Sequence, residues 1–217
     1  MDTNTQMEGI QFSGESVSVS VYDELTTFGE QGNVLSSRVK EYGREMGRAT
    51  NMSLDNFLFG DVYSSEPVYA VRRFQFDSER DKKKSTTLKA ATLAAKMKDR
   101  SSLMPLNKRI AEYNSLVCMD FHDPDRLDWI KDQLATLSFV YYAGVSSGKT
   151  GVFAIIPIVS ADWREHRYYF DALERITREM GLNPSKKGRK VTDLRYQSVD
   201  DNPYVNRNCT RFSLLQA

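Results

Sequence analysis

Apolar and polar residues alternate strictly in SVSVSVY (16–22), which predicts a strand with one wet face. Val34, Leu35, Val39 and Met46 recur at mostly helical intervals behind Asn33, a capping residue, and predict a helix over 33–47. PVYAVRRFQF (67–76) reads as a second strand. DSERDKKKSTTLKAATLAAKMKDR (77–100) opens on a charge run and passes into an Ala/Lys/Leu pattern that predicts a helix. The second half is denser. NSLVCMDFHD (114–123) is an apolar strand ending in charge. PDRLDWIKDQLATL (124–137) places Leu127, Ile130, Leu134 and Leu137 on one helical face behind Pro124, with Asp123 as the cap. SFVYYAGVS and GVFAIIPIV flank a Ser-Ser-Gly-Lys turn as a hairpin, and SADWREHRYYFDALERITREMG (160–181) runs from a capping-type Ser to Gly181. VTDLRYQSV (191–199) is the last clear strand before a turn-rich exit. This order predicts an α+β fold, a mixed or antiparallel central sheet with helices packed on one face. Residues 1–15, polar with Gly and Ser, predict a disordered or only loosely docked segment, and 16–217 one domain.

Composition narrows the partners more than the fold. A formal net charge of +1 on 217 residues excludes a histone-like affinity of the whole chain for nucleic acid, and leaves a local basic face open. No apolar run reaches the length needed to cross a bilayer, and residues 1–18 contain no signal-type apolar core. Two cysteines, Cys118 and Cys209, make no disulfide framework and predict free thiols in a reducing cytoplasm.

Three clusters could carry chemistry. Alternation along 116–122 puts Asp120 and His122 on one face, where a carboxylate suits magnesium or manganese and an imidazole shifts the preference away from magnesium. The bland alternative is a polar strand end followed by a helix capped by Asp123. AGVSSGKTG (143–151) has the Gly-Lys-Thr of a Walker loop, but Ala143 stands where its first Gly belongs and a strand follows instead of a helix. Ser146, Ser147, Gly148 and Lys149 still offer hydroxyls, amides and a cation to an anion. Arg195 is a candidate bidentate partner for phosphate. The basic loop KKGRK (186–190), with Lys186, Lys187, Arg189 and Lys190, is a candidate nucleic-acid contact, as is RDKKK (80–84). Tyr141, Tyr142, Tyr168 and Tyr169 are either stacking platforms or core. His166 is a lone helical histidine, more in keeping with core or surface than with a ligand.

Taken in order, LVCMDFHD, YYAGVSSGKTGVFAIIPI, HRYYFDALERITREMGL and LRYQSVDDNPYVN resemble the VirE N-terminal-like domain of the archaeo-eukaryotic primase superfamily, over about residues 67–207. That domain stands at the front of primase–helicase proteins of Bacteroidetes mobile elements. The resemblance implies a primase-polymerase-like core of RRM type and metal-dependent phosphoryl transfer from a nucleoside triphosphate. It implies Asp120, His122 or Asp123, and Asp200 as catalytic residues, with Asp120, His122 and Asp200 around divalent magnesium or manganese. Ser146, Ser147, Gly148, Lys149 and Arg195 would hold the triphosphate. Single-stranded DNA, a nucleoside triphosphate and a helicase domain in cis or in trans are the implied partners. The sequence departs from the family pattern at three places: His122 stands where a second acid is usual, Asp193 where the first Arg of the last motif is usual, and Asn183 where an acid often follows the long helix. Two classes of function stay open: a nucleotidyltransferase, and a degenerate primase fold that binds nucleic acid or nucleotide without chemistry. A plain interaction domain is a third.

Overall fold

In the computed structural model the described residues are 12–28, 34–38, 50–60, 88–98, 105–198 and 200–216. The elements in order are β1 (Ser18–Phe28), β2 (Val34–Arg38), β3 (Thr50–Ser53), α1 (Leu54–Phe59), β4 (Leu88–Thr92), β5 (Ala95–Met97), α2 (Leu106–Arg109), β6 (Ile110–Tyr113) and β7 (Leu116–His122). There follow α3 (Leu127–Ala135), β8 (Tyr142–Val145), β9 (Gly151–Pro157), α4 (His166–Glu179), β10 (Leu194–Tyr196) and β11 (Tyr204–Val205). The chain is α+β with antiparallel sheets, as its hydrophobic pattern predicts.

Among the described residues three sheets stand in place of the single central sheet expected. One has the order β10-β4-β1-β2 with β3 also on β1, a second has β11-β8-β9-β7, and β5 pairs with β6. The first two pack face to face. Val19, Val21, Leu54, Phe57, Tyr141, Tyr142, Phe153 and Ile155 share one cluster between them. On its other face the second sheet carries α3 and α4 over Val117, Met119, Phe121, Ile130, Leu134, Val152, Ala154, Ile156, Phe170 and Leu173. Strand β9 thus contributes Val152, Ala154 and Ile156 to one layer and Phe153 and Ile155 to the other. It is covered on both sides, which is why it reads as a continuous apolar run. Asn114 links the layers further, its Nδ2 donating to Ser18 O at 3.0 Å and Leu93 O at 2.8 Å.

Several local expectations are corrected. Residues 34–38 of the helix expected over 33–47 are strand β2, paired along β1 from Leu25↔Arg38 to Phe28↔Val34. Two serines and a valine among five residues weaken a helix, and a strand partner decides the outcome. Within 77–100, residues 88–92 and 95–97 are strands β4 and β5. Ala91, Leu93, Ala94 and Ala95 are buried, so tertiary pairing overrides the helix propensity of alanine. The strand expected at 67–76, like 39–47, 77–87 and 99–100, lies outside the described residues. Phe12, in the segment expected to be disordered or only loosely docked, is firmly buried against Tyr141 with ring centroids 4.8 Å apart, because an aromatic ring finds an apolar slot there; residues 1–11 lie outside the described set.

Helix ends also differ from expectation. Asp123 does not cap α3: its carboxylate accepts from Asp125 N at 3.3 Å and Arg126 Nε at 2.7 Å, a turn of its own before the helix begins at Leu127. Ser160 likewise closes a turn, accepting from Asp162 N at 3.1 Å, and α4 begins six residues later. Gly181 fulfils its expectation. At φ +79° it lets Leu182 N reach Thr177 O and its own N–H reach Arg178 O, both at 3.0 Å, the two bonds of a Schellman motif.

Candidate functional site

Strand β7 pairs with β9 on one side, Asp120 opposite Phe153 and His122 opposite Gly151. Its other edge is covered by the segment after α4. Phe121 bridges to Pro184, Ser185 N donates to Asp120 O at 2.7 Å, and Gly188 lies so close to Cys118 that an added Cβ would sit 1.8 Å from that residue's carbonyl oxygen. A φ of +93° at Gly188 gives a second reason for glycine there. The buried His166 ring faces Gly188 O through Nε2 at 2.9 Å and the Tyr113 hydroxyl through Nδ1 at 3.0 Å. Burial lowers the pKa of His166, against the carbonyl of Gly188 and the charge of Asp193. The neutral ring therefore donates from Nε2 and accepts at Nδ1. Asp193 completes the loop, its Oδ2 accepting from the amides of Gly188 at 2.9 Å and Lys190 at 3.1 Å.

This loop sets Lys187, Gly188, Lys190 and Asp193 around a small pocket floored by Cys118, Asp120 and Arg195. Its volume of about 20 Å³ admits one water-sized group. Arg195, only 5% exposed, comes from β10 in the other sheet, stacks over Phe153 at 4.5 Å and pairs with the Asp120 carboxylate. Burial lowers the pKa of Arg195, and the neighbouring Cys118 works the other way. Lys187 also lies over the Tyr196 ring, with Nζ 5.6 Å from its centroid.

The remaining candidates are dispersed. Asp200 is held at β8, accepting from Val145 N at 2.9 Å and Lys131 Nζ at 3.2 Å. Val145 is two strands across from β7, about 10 Å at ordinary strand spacing. His122 is exposed and its Nδ1 faces Thr150 O at 3.2 Å. Asp120, His122 and Asp200 therefore form no common site, and no group of three or more His, Cys, Asp or Glu among the described residues could hold a metal ion. The metal set expected from the sequence is corrected on that ground: Asp120 meets a guanidinium and Asp200 an ammonium. Asp123, the other catalytic candidate, is tied to Arg126.

The 146–150 turn spends two amides on itself, Ser146 N to Gly151 O at 2.8 Å and Lys149 N to Ser146 O at 2.9 Å, so they are not offered to an anion. Two of the four basic-loop residues are also committed. Lys186 Nζ lies 2.7 Å from Glu174 Oε1, and Arg189 grips Asp171 through Nε at 2.7 Å and Nη2 at 2.8 Å. Those partners hold the Glu174 and Asp171 carboxyls below their ordinary range. Of the four tyrosines, Tyr141, Tyr142 and Tyr169 are core and Tyr168 is 64% exposed. The expectation missed Cys118 and Lys131. The alternation that puts Asp120 and His122 on one face extends to Cys118, two residues before Asp120, and is the signal that could have found it. No helix among the described residues is long and apolar enough to cross a membrane. Comparison with family models, curated proteins and solved structures finds no match.

Proposed function

We propose that this chain is a binding module for single-stranded nucleic acid, built on a primase-polymerase-like core of RRM type and working without phosphoryl transfer. The topology supports the core. The run β7-α3-β8-β9-α4, with β9 between β7 and β8, supplies the first five elements of a split β-α-β arrangement. It departs at the sixth: β11 joins β8, and Pro184–Ser185 lies beside β7 instead. The observation that carries the function is the convergence of Lys187, Lys190 and Arg195 on one pocket, from a loop and a strand. A pocket of about 20 Å³ cannot enclose a base or a sugar, which favours a phosphate chain crossing the rim over a captured nucleotide.

Two-metal transfer needs carboxylates that hold ions roughly 4 Å apart. The carboxylates here are bound to cations of the chain itself, so no catalytic step is assigned. A labelled single-stranded oligonucleotide titrated at several salt concentrations tests the reading. Two phosphate contacts give a slope of log K against log salt of about −1.4, and Lys187→Ala or Lys190→Ala should each remove about 0.7 of it. Binding indifferent to both substitutions, or none at low salt, would sink the proposal. Primer extension with magnesium or manganese should give no product. Metal-dependent product that vanishes in Asp120→Ala would restore the nucleotidyltransferase.

A further inference from the structure

Two of the pocket's cations lie over aromatic rings, and the two rings differ. Arg195 covers Phe153, which is buried between the sheets. Lys187 covers Tyr196, its Nζ 5.6 Å from the ring centroid, and both residues reach the surface. Tyr196 is partly exposed because alternation along β10 turns it away from the layer that buries Arg195. Its strand is fixed on β4, with Tyr196 opposite Ala90, so the ring stands on a rigid element. Lys187 is an exposed loop residue. Its N–H donates to Ser185 Oγ at 3.2 Å, which sets the backbone, while its four-carbon stem can turn. The same lysine lines the pocket with Lys190 and Arg195. Asp120 and Asp193 line it too, and both are engaged, Asp120 by Arg195 and Asp193 by the amides of Gly188 and Lys190. The pocket of about 20 Å³ has no room for a base, so a base carried on a phosphate chain at its rim lies outside it.

We propose that Tyr196 is a stacking platform for one base of the bound strand, bared when Lys187 swings from the ring to the phosphate. The platform rests on the nucleic-acid reading given above and adds the base subsite that the pocket lacks. Ring and pocket rim lie within reach of one lysine side chain, as the base and phosphate of one nucleotide lie one sugar apart. A base presents a flat π-face that takes the place of the ammonium on the tyrosine ring. Every base has such a face, so the contact tolerates any sequence. The lysine exchanges a weak contact with an exposed ring for a charge-assisted one with phosphate. Tyr196 stands in the first sheet and the loop bearing Lys187 covers the edge of the second, so the strand binds across their junction.

The test uses the folded full chain with an oligothymidylate and with a strand of the same length whose nucleotides are abasic, each titrated at several salt concentrations. Wild type should bind the base-bearing strand about five- to a hundredfold more tightly. Tyr196→Leu should remove most of that preference and leave the salt slope unchanged, because stacking releases no counterions. Tyr196→Phe should keep the preference. Lys187→Ala should do the reverse, lowering the slope by about 0.7 while the preference persists. Irradiating wild type with the same strand carrying iodinated uracils should place the crosslink on Tyr196, a readout that needs no variant to fold. Equal affinity of wild type for the two strands, a preference undiminished in Tyr196→Leu, or a crosslink that avoids Tyr196 would each overturn the platform and leave the phosphate contact standing. If wild type binds neither strand at low salt, the nucleic-acid reading fails and the platform with it.

Discussion

Arg195 is buried between Phe153 and the Asp120 carboxylate, with only its edge on the small pocket. A buried pair of this kind stabilises little compared with an apolar pair of the same shape, yet breaking it strands a charge. Asp120→Ala should therefore destabilise the fold by about 3–5 kcal/mol in denaturant unfolding, because Arg195 is left uncompensated. Asp120→Leu combined with Arg195→Met should recover most of that loss. A metal ligand behaves otherwise: its removal relieves carboxylate repulsion and need not weaken the metal-free protein. Equal stability of wild type and Asp120→Ala would contradict the pairing described here.

At the scale of elements, the loop from Pro184 to Asp193 does more than join α4 to β10. It covers the edge of β7, carries two lysines to the pocket and is pinned by His166 and Asp193. Gly188→Ala should destabilise by about 2–3 kcal/mol, since both its φ and the carbonyl of Cys118 oppose a Cβ. Thermal melting of that variant against Gly181→Ala, where φ is also positive but the nearest atom to an added Cβ is 4.0 Å away, separates clash from backbone preference. How legible such elements were depended on where their partners lay. From β7 to α4, periodicity and turns located every element, because each packs against near neighbours in sequence. The alanine-rich 88–92 was misread as helix because its partners, β1 and β10, lie far away in sequence and no local pattern announces them. In the same way Asp120 and His122 were rightly placed on one face, but the arrival of Arg195 from another sheet is invisible to alternation. The charge run 186–190 was conspicuous in sequence, and the acids of α4 that neutralise half of its named cations were not distinguishable from any solvated helix face.

For the whole molecule, acid should loosen the layers in two stages. The folded His166 has a pKa below its ordinary 6.5, so the unfolded chain binds the extra proton first and stability falls as pH drops below about 6.5. His166→Gln should flatten that part of the profile, measured as denaturation midpoint against pH. Glu174 and Asp171 are depressed carboxyls: their contribution is complete above their ordinary values of 4.5 and 3.8 and disappears as pH falls further. Substituting Lys186 by Ala should shrink this second stage and leave the first unchanged.

The Asp120–Arg195 pair has a further consequence during synthesis. The two residues are 75 positions apart, so at roughly 5–20 residues per second Asp120 emerges about 4–15 s before the guanidinium that meets it. Strand β7 can pair with β9 during that interval, but the face bearing Asp120 cannot be sealed against the other sheet without burying a lone carboxylate. Sealing the two sheets before β10 arrives would bury that carboxylate without its partner, a cost that favours late closure of the two halves.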